Sequence, residues 1–169
     1  METDNLTPSN GLTLSYSTTI ETPVLTGTAP NQWYEPAEPA DGTFTDFLCV
    51  KDVPNVGNLT AEMTEHRCLN RKEKFVAKYP NGFLTSEATQ IRVSFDRTEH
   101  ATLLGYQKAG TQLSIRLKLA ARPDETTPSK ILRTGYISQL SDTISNGGDE
   151  VESTLSFEWS SVPKITEGS

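Results

Sequence analysis

Sulfur and imidazole are scarce in this 169-residue chain, which has two cysteines, Cys49 and Cys68, and two histidines, His66 and His100. That scarcity excludes a disulfide-stapled scaffold and leaves little for a metal centre. The four side chains could in principle ligate zinc, but their spacing fits no finger or ribbon, so no metal or other cofactor is expected. No apolar run approaches the roughly 18 residues of a membrane helix. The start Met1-Glu2-Thr3-Asp4-Asn5 has neither the basic nor the apolar region of a secretory signal. A soluble chain with reduced, unpaired thiols is expected, outside the secretory route and with no membrane partner.

Positive charge is missing from residues 1–50, which hold seven acids (Glu2, Asp4, Glu21, Glu35, Glu38, Asp41 and Asp46) and no Lys or Arg. Beyond them 15 acids face 15 basic residues, so the net charge of -7 is wholly N-terminal. Proteins that grip nucleic acid through phosphates show the opposite sign, because affinity comes from Lys and Arg displacing counterions. Tight DNA binding is disfavoured, while passing contact is not. The short basic run Arg71, Lys72, Lys74, Lys78, interrupted by Glu73, reads as a solvated loop.

Catalytic signatures are absent too: there is no Gly-x-Ser-x-Gly, no phosphate-cradling glycine loop and no Cys-x-x-Cys pair. Glu150, Glu152 and Glu158 could be imagined as an acid/base pair, yet the sequence supplies no nucleophile and no cause for shifted pKa values. A solvated strand face explains them more simply. His100 reads as a surface or half-buried helix residue. No enzyme is legible.

What is present is alternation. Residues 12–20 read as a strand with Leu12, Leu14, Tyr16, Thr18 and Ile20 on one face. Pro23, Pro30, Pro36 and Pro39, with Gly27 and Gly42, predict an irregular stretch without ladders over residues 21–43. Trp33 and Tyr34 stand in its middle, which points to a docking arm. Short strands follow at 46–53 and 59–69, and Pro80-Asn81-Gly82 reads as a turn. Residues 88–95 form a strand with Ile91, Val93 and Phe95 inward. Asp96 caps a helix of roughly three turns, with Glu99 completing a capping-box-like start, Ala101 and Leu104 on its core side together with Leu103 and the stem of Lys108, and Gly110 as its left-handed stop. Residues 111–120 alternate Leu113, Ile115, Leu117 and Leu119 against Ser114, Arg116 and Lys118. The order predicts a mainly β protein, a β-sandwich or partial barrel with one packed α-helix and a long N-terminal loop or arm.

Residues 131–161 read as a two-faced ribbon. With Asn146-Gly147 as a two-residue turn, Leu140, Ser138, Tyr136 and Thr134 oppose Ser153, Leu155, Phe157 and Trp159 on an apolar face. Thr143, Ser141 and Gly135 then oppose Glu150, Glu152 and Glu158 on an acidic one. Were Gly147-Gly148 the turn centre, the partners would shift and each strand would keep its own alternation.

Val53-Pro54-Asn55-Val56, Met63-Thr64-Glu65, residues 79–83, Ile91-Arg92-Val93-Ser94-Phe95, the capped helix, Gly110-Thr111, residues 113–119, Gly135-Tyr136-Ile137-Ser138 and residues 151–159 together resemble the tail tube proteins of long, flexible-tailed bacteriophages. The specificity lies in order and spacing, over residues 46–165. The His66-Arg67-Cys68 segment and the N-terminal 45 residues fall outside the pattern. The resemblance divides the chain into an N-terminal strand and assembly arm (1–45), a tail-tube domain (46–165) and a C-terminal tail (166–169). It implies a virion protein, built in the host cytoplasm, that forms stacked hexameric rings around a channel for double-stranded DNA. Its partners would be copies of itself and the tape-measure, tail terminator and tail-tip proteins. In that setting Glu150, Glu152, Thr154, Ser156 and Glu158 would line the channel and repel phosphate, with Trp33 and Tyr34 anchoring a neighbouring subunit. A competing assignment puts Ser114, Arg116 and Lys118 in the channel. A tube or connector subunit of a related injection machine is an alternative, and a carbohydrate-binding sandwich a remoter one.

Overall fold

The computed structural model describes residues 11–29, 31–52, 54–66, 77–144 and 151–169. In chain order these form β1 (Thr13–Ser17), β2 (Val24–Thr28), β3 (Asn31–Glu35), β4 (Thr45–Asp46), β5 (Thr60–His66), β6 (Ala77–Thr85), β7 (Thr89–Ser94), α1 (Arg97–Ala109), β8 (Leu113–Lys118), β9 (Lys130–Ile144), β10 (Val151–Trp159) and β11 (Lys164–Thr166). The alternating strands build one antiparallel sheet in the order β4-β1-β8-β9-β10-β7, with β11 added to β9. It curls into a half-barrel.

One segment ties the two edges of that sheet together. Thr45 and Asp46 pair with β1. The chain then crosses to β7, where Val50 bridges Val93, Lys51 N–H donates to Arg92 O at 2.8 Å and Ser94 N–H donates to Cys49 O at 2.9 Å. Part of each edge is thereby occupied, which limits unwanted pairing there. Cys49 itself is an exposed free thiol.

The apolar half of each strand fills the inside. Ile91, Leu113, Ile115, Leu155 and Phe157 have no exposed surface, and each such burial contributes about 1.5–3 kcal/mol. Helix α1 closes this side. Asp96 accepts from the N–H groups of Thr98 and Glu99, and Gly110 stops the helix at φ 64°, ψ 34°. The core side of α1 is Glu99 and Leu103, with Tyr106 packed beside them, whereas Ala101 is exposed and Leu104 half-buried. The capping box does not close as expected: Glu99 Oε1 instead accepts from Leu48 N–H at 3.2 Å, pinning the crossing segment. Burial raises the Glu99 carboxyl above its ordinary pKa, and its Oε2 has no partner. Phe95, expected inward, is 40% exposed against His100.

Two hairpins stand outside the sheet. β2 and β3 pair with each other inside the stretch expected to lack ladders. Pro23 and Pro36 flank this hairpin rather than interrupt it, and Gly27, at φ 93°, supplies the one left-handed position within a strand. Pro30, between the strands, lies outside the described residues. β5 and β6 form the second hairpin. Its register jumps between Ala61↔Leu84 and Met63↔Pro80, so Pro80-Asn81-Gly82 marks a bulge rather than a reversal. The basic residues Arg71, Lys72 and Lys74, and Arg67 with Cys68, lie outside the described residues.

The ribbon forms as β9 and β10 with a different register. Ile144 opposes Val151 and Leu140 opposes Leu155, which centres the count on Gly147-Gly148 instead of Asn146-Gly147. The turn itself and Glu150 are outside the described residues. A bulge then skips Ser138, so that Phe157 opposes Ile137, Glu158 opposes Tyr136 and Trp159 opposes Gly135. The parity of β9 flips at that point. Leu140 and Ile137 both face the core, while Tyr136, expected inside, is 41% exposed beside Glu158. A Cβ at Gly135 would meet Glu158 O at 2.5 Å, so only glycine allows this close approach.

Candidate functional site

The outer face of the sheet divides into an open half and a covered half. The open half comprises β7, β10 and the later part of β9. Cross-strand pairing puts Gln90, Arg92 and Ser94 beside Ser156, Thr154 and Glu152, which in turn face Gln139, Ser141 and Thr143. Of the residues expected to line a channel, Glu152, Thr154, Ser156 and Glu158 therefore share one face, opposite the side closed by α1. That face is less acidic than expected. Arg92 donates to Glu152 at 2.7 Å and to Asp52 at 2.8 Å, so one guanidinium is shared by two carboxylates, and their neighbours on the face are mainly hydroxyls and amides.

The covered half comprises β1, β8 and the early part of β9. Ser114, Arg116 and Lys118 point outward from β8 as the alternation requires, yet Arg116 is only 4% exposed. The chain between β3 and β4, residues 36–44, lies over it. Arg116 Nη1 reaches Glu38 at 3.1 Å and contacts Asp41, and its guanidinium sits 3.8 Å from the Phe44 ring centre. Lys130 Nζ holds the other oxygen of Glu38 at 2.5 Å, and Lys118 approaches Asp41 at 4.0 Å. Pro36 and Pro39 are buried. This own-chain cover, which the sequence did not reveal, buries Arg116, one of the three residues of the competing assignment.

Arg116 holds the Asp41 carboxyl below its ordinary pKa. Burial alone would raise Glu38, but the hydrogen bonds and charges of Lys130 and Arg116 outweigh it and bring its pKa down. Carboxylates with depressed values stabilise the folded chain at neutral pH, and that contribution fades as the pH falls through and below the ordinary carboxylate range.

The two hairpins expose apolar side chains. On the first, Trp33 is 41% and Tyr34 64% exposed. Pairing places Trp33 with Thr26 and beside Val24 on one face, and Tyr34 with Leu25 on the other. Trp33 Nε1 donates to Glu35 at 3.0 Å, which fixes the indole without burying it. On the second, Leu59, Met63 and Leu84 are exposed. Tyr34, Leu59 and Leu84 line a common cleft whose floor includes Arg133, Trp159 and Ser161. Sequence reasoning marked Trp33 and Tyr34, and of the second hairpin it saw the first strand but not the return strand.

Helix α1 meets the ribbon through polar groups. His100 Nε2 lies 3.0 Å from Asp142, whose other oxygen accepts from Ser153 Oγ at 2.7 Å. The three residue types are those of a hydrolase triad, but here the serine hydroxyl and the imidazole both meet the carboxylate, which is not the Ser–His–Asp order of a relay. The contact pins α1 to the ends of β9 and β10.

No protein-family model matches the chain, and no curated protein matches it. Solved structures do. A chain of the six-fold symmetrised baseplate of the anti-feeding prophage (AFP) superposes with a TM-score of 0.58 at 8% identity, covering 99% of this chain and 98% of that one. A chain of the SPP1 tail tube superposes with a TM-score of 0.56 at 9% identity, covering 95% of this chain and 78% of that one. At these identities the likeness is one of fold, and at that level the resemblance to tail tube proteins read from the sequence is borne out.

Proposed function

We propose that the chain is a structural subunit of a phage tail, polymerising as stacked hexameric rings into a hollow tube that conducts double-stranded DNA. The fold it shares with the SPP1 tail tube chain carries the reading. Two features of its surface support it. Apolar hairpins standing off a barrel with tied edges offer contacts to copies of the same chain without exposing the core. The open outer face of β7, β10 and β9 offers a wall for the channel: Glu152, Thr154, Ser156 and Glu158 lie together on it, and Glu150 continues it in sequence. A surface of hydroxyls and amides whose Arg92 is already paired with carboxylates offers phosphate little positive charge to grip, which lets DNA slide. Tape-measure, terminator and tip proteins are the partners this reading calls for. The AFP baseplate likeness favours, as a second reading, a ring subunit of an injection machine.

The wall is tested with Thr154→Lys/Glu158→Lys, which adds positive charge and leaves the Arg92–Glu152 pair in place. Tubes should form normally and DNA release from particles built with them should slow severalfold, more so at low salt. Unchanged ejection kinetics would remove this face from the channel.

A further inference from the structure

We propose that Arg116 is a positioning residue: it latches the strap formed by residues 36–44 onto the barrel and so sets the aim of the β2–β3 hairpin before any neighbour arrives. The inference rests on the reading of that hairpin as an assembly arm. β2 and β3 form a two-stranded sheet of their own and take no place in the main sheet. A lone hairpin of this size is marginal in water, so its orientation depends on what holds its ends. Residue 36 follows directly on β3, and from there the strap is fixed along its length. Pro36 and Pro39 are buried. Glu38 is gripped by Arg116 and Lys130. Asp41 contacts Arg116. Thr43 Oγ1 accepts from Ser17 Oγ at 3.1 Å and donates to Ala40 O at 2.7 Å. Phe44 covers the guanidinium.

The chemistry exceeds what covering a sheet requires. An apolar residue at position 116 would pack under prolines and Phe44 without the cost of burying a guanidinium. Arg116 gives something else, one nitrogen, Nη1, on which two carboxylates three residues apart must converge. Arg116 Nε is buried without a partner, and both carboxylates are met at Nη1 instead. The same carboxylates belong to the acidic N-terminal third, so the latch also absorbs charge that would push the strap away from other acids.

Hydrogen exchange on the unassembled chain, with tube growth followed in parallel, tests this. In Arg116→Met the amides of β2 and β3 should exchange about tenfold faster or more, those of β9 and α1 should keep their protection, and tube growth should lag. Arg116→Lys, which keeps the charge and loses the planar guanidinium that lies on Phe44, should lie between. If Arg116→Met does not fold, the strap-side variant Glu38→Gln/Asp41→Asn carries the test, with the same selective loss expected. Unchanged exchange in β2 and β3 in a folded variant overturns the latch. Faster exchange with normal tube growth would uphold the latch and refute the arm reading instead.

Discussion

Arg133 is a buried cation surrounded by neutral acceptors. Its Nε donates to Ser161 O at 2.8 Å, and Nη1 reaches Val56 O at 3.1 Å, Asn58 O at 2.7 Å and Asn58 Oδ1 at 2.8 Å. Its guanidinium lies 4.9 Å from the Trp159 ring centre. Burial pushes its pKa down to about 10, still high enough to keep the charge at neutral pH. One side chain thus fastens the loop before β5 and the chain after β10 to the inner face of β9. Arg133→Met leaves four acceptors without a donor, each costing about 1–3 kcal/mol, and should lower the unfolding free energy by about 3 kcal/mol or more in urea titration. Arg133→Lys should recover less than half of that, since an ammonium cannot span the same acceptors. A loss under about 1 kcal/mol in Arg133→Met would contradict this account. This role was hidden in the sequence by the bulge: counted back from Leu140, strict alternation puts Arg133 outside, and nothing at Ser138 or Gln139 announces the skipped position. The caps of α1 were legible because each acts through its nearest neighbours.

Between residues and the whole molecule stand the hairpins, which form elements without a core of their own. Trp33 and Tyr34 are large, rigid and exposed, the profile of anchors that bury on contact with a partner. Trp33→Ser/Tyr34→Ser should leave thermal unfolding and far-UV dichroism as in the parent, because neither ring supports the barrel. In sedimentation velocity the parent should polymerise and the variant stay monomeric; polymers formed equally by both would refute the arm. Among the strands, β8 was the most readable, since its alternation of apolar and polar residues is unbroken, although the burial of its polar face was not legible. The first hairpin was misread because its prolines sit at the ends of strands rather than within them. Four prolines in about 20 residues look like a barrier to pairing until their positions are known. The second hairpin was half-read: its first strand was visible, while its return strand carries a turn signal that the ladder absorbs as a bulge.

For the whole molecule, the decisive pattern is the division of one sheet into an inside filled by apolar side chains and α1, an outer half sealed by the strap, and an outer half left polar and open. The sequence showed the first division, because apolar and polar residues alternate. It did not show the second, because a strap that covers Ser114 and Arg116 comes from residues about 75 positions away, and no periodicity encodes such a contact. The acidic excess read from composition is likewise real, but part of it is spent within the chain, with Glu38 and Asp41 on Arg116 and Lys130. What remains outside is a polar half-face and two apolar hairpins, the surfaces on which the proposed function rests. The most direct test is electron microscopy of the purified, concentrated chain in negative stain. The account predicts hollow tubes with regular axial striations, built from rings of one protein alone. Particles that stay monomeric under those conditions, or that aggregate without a bore, would contradict it.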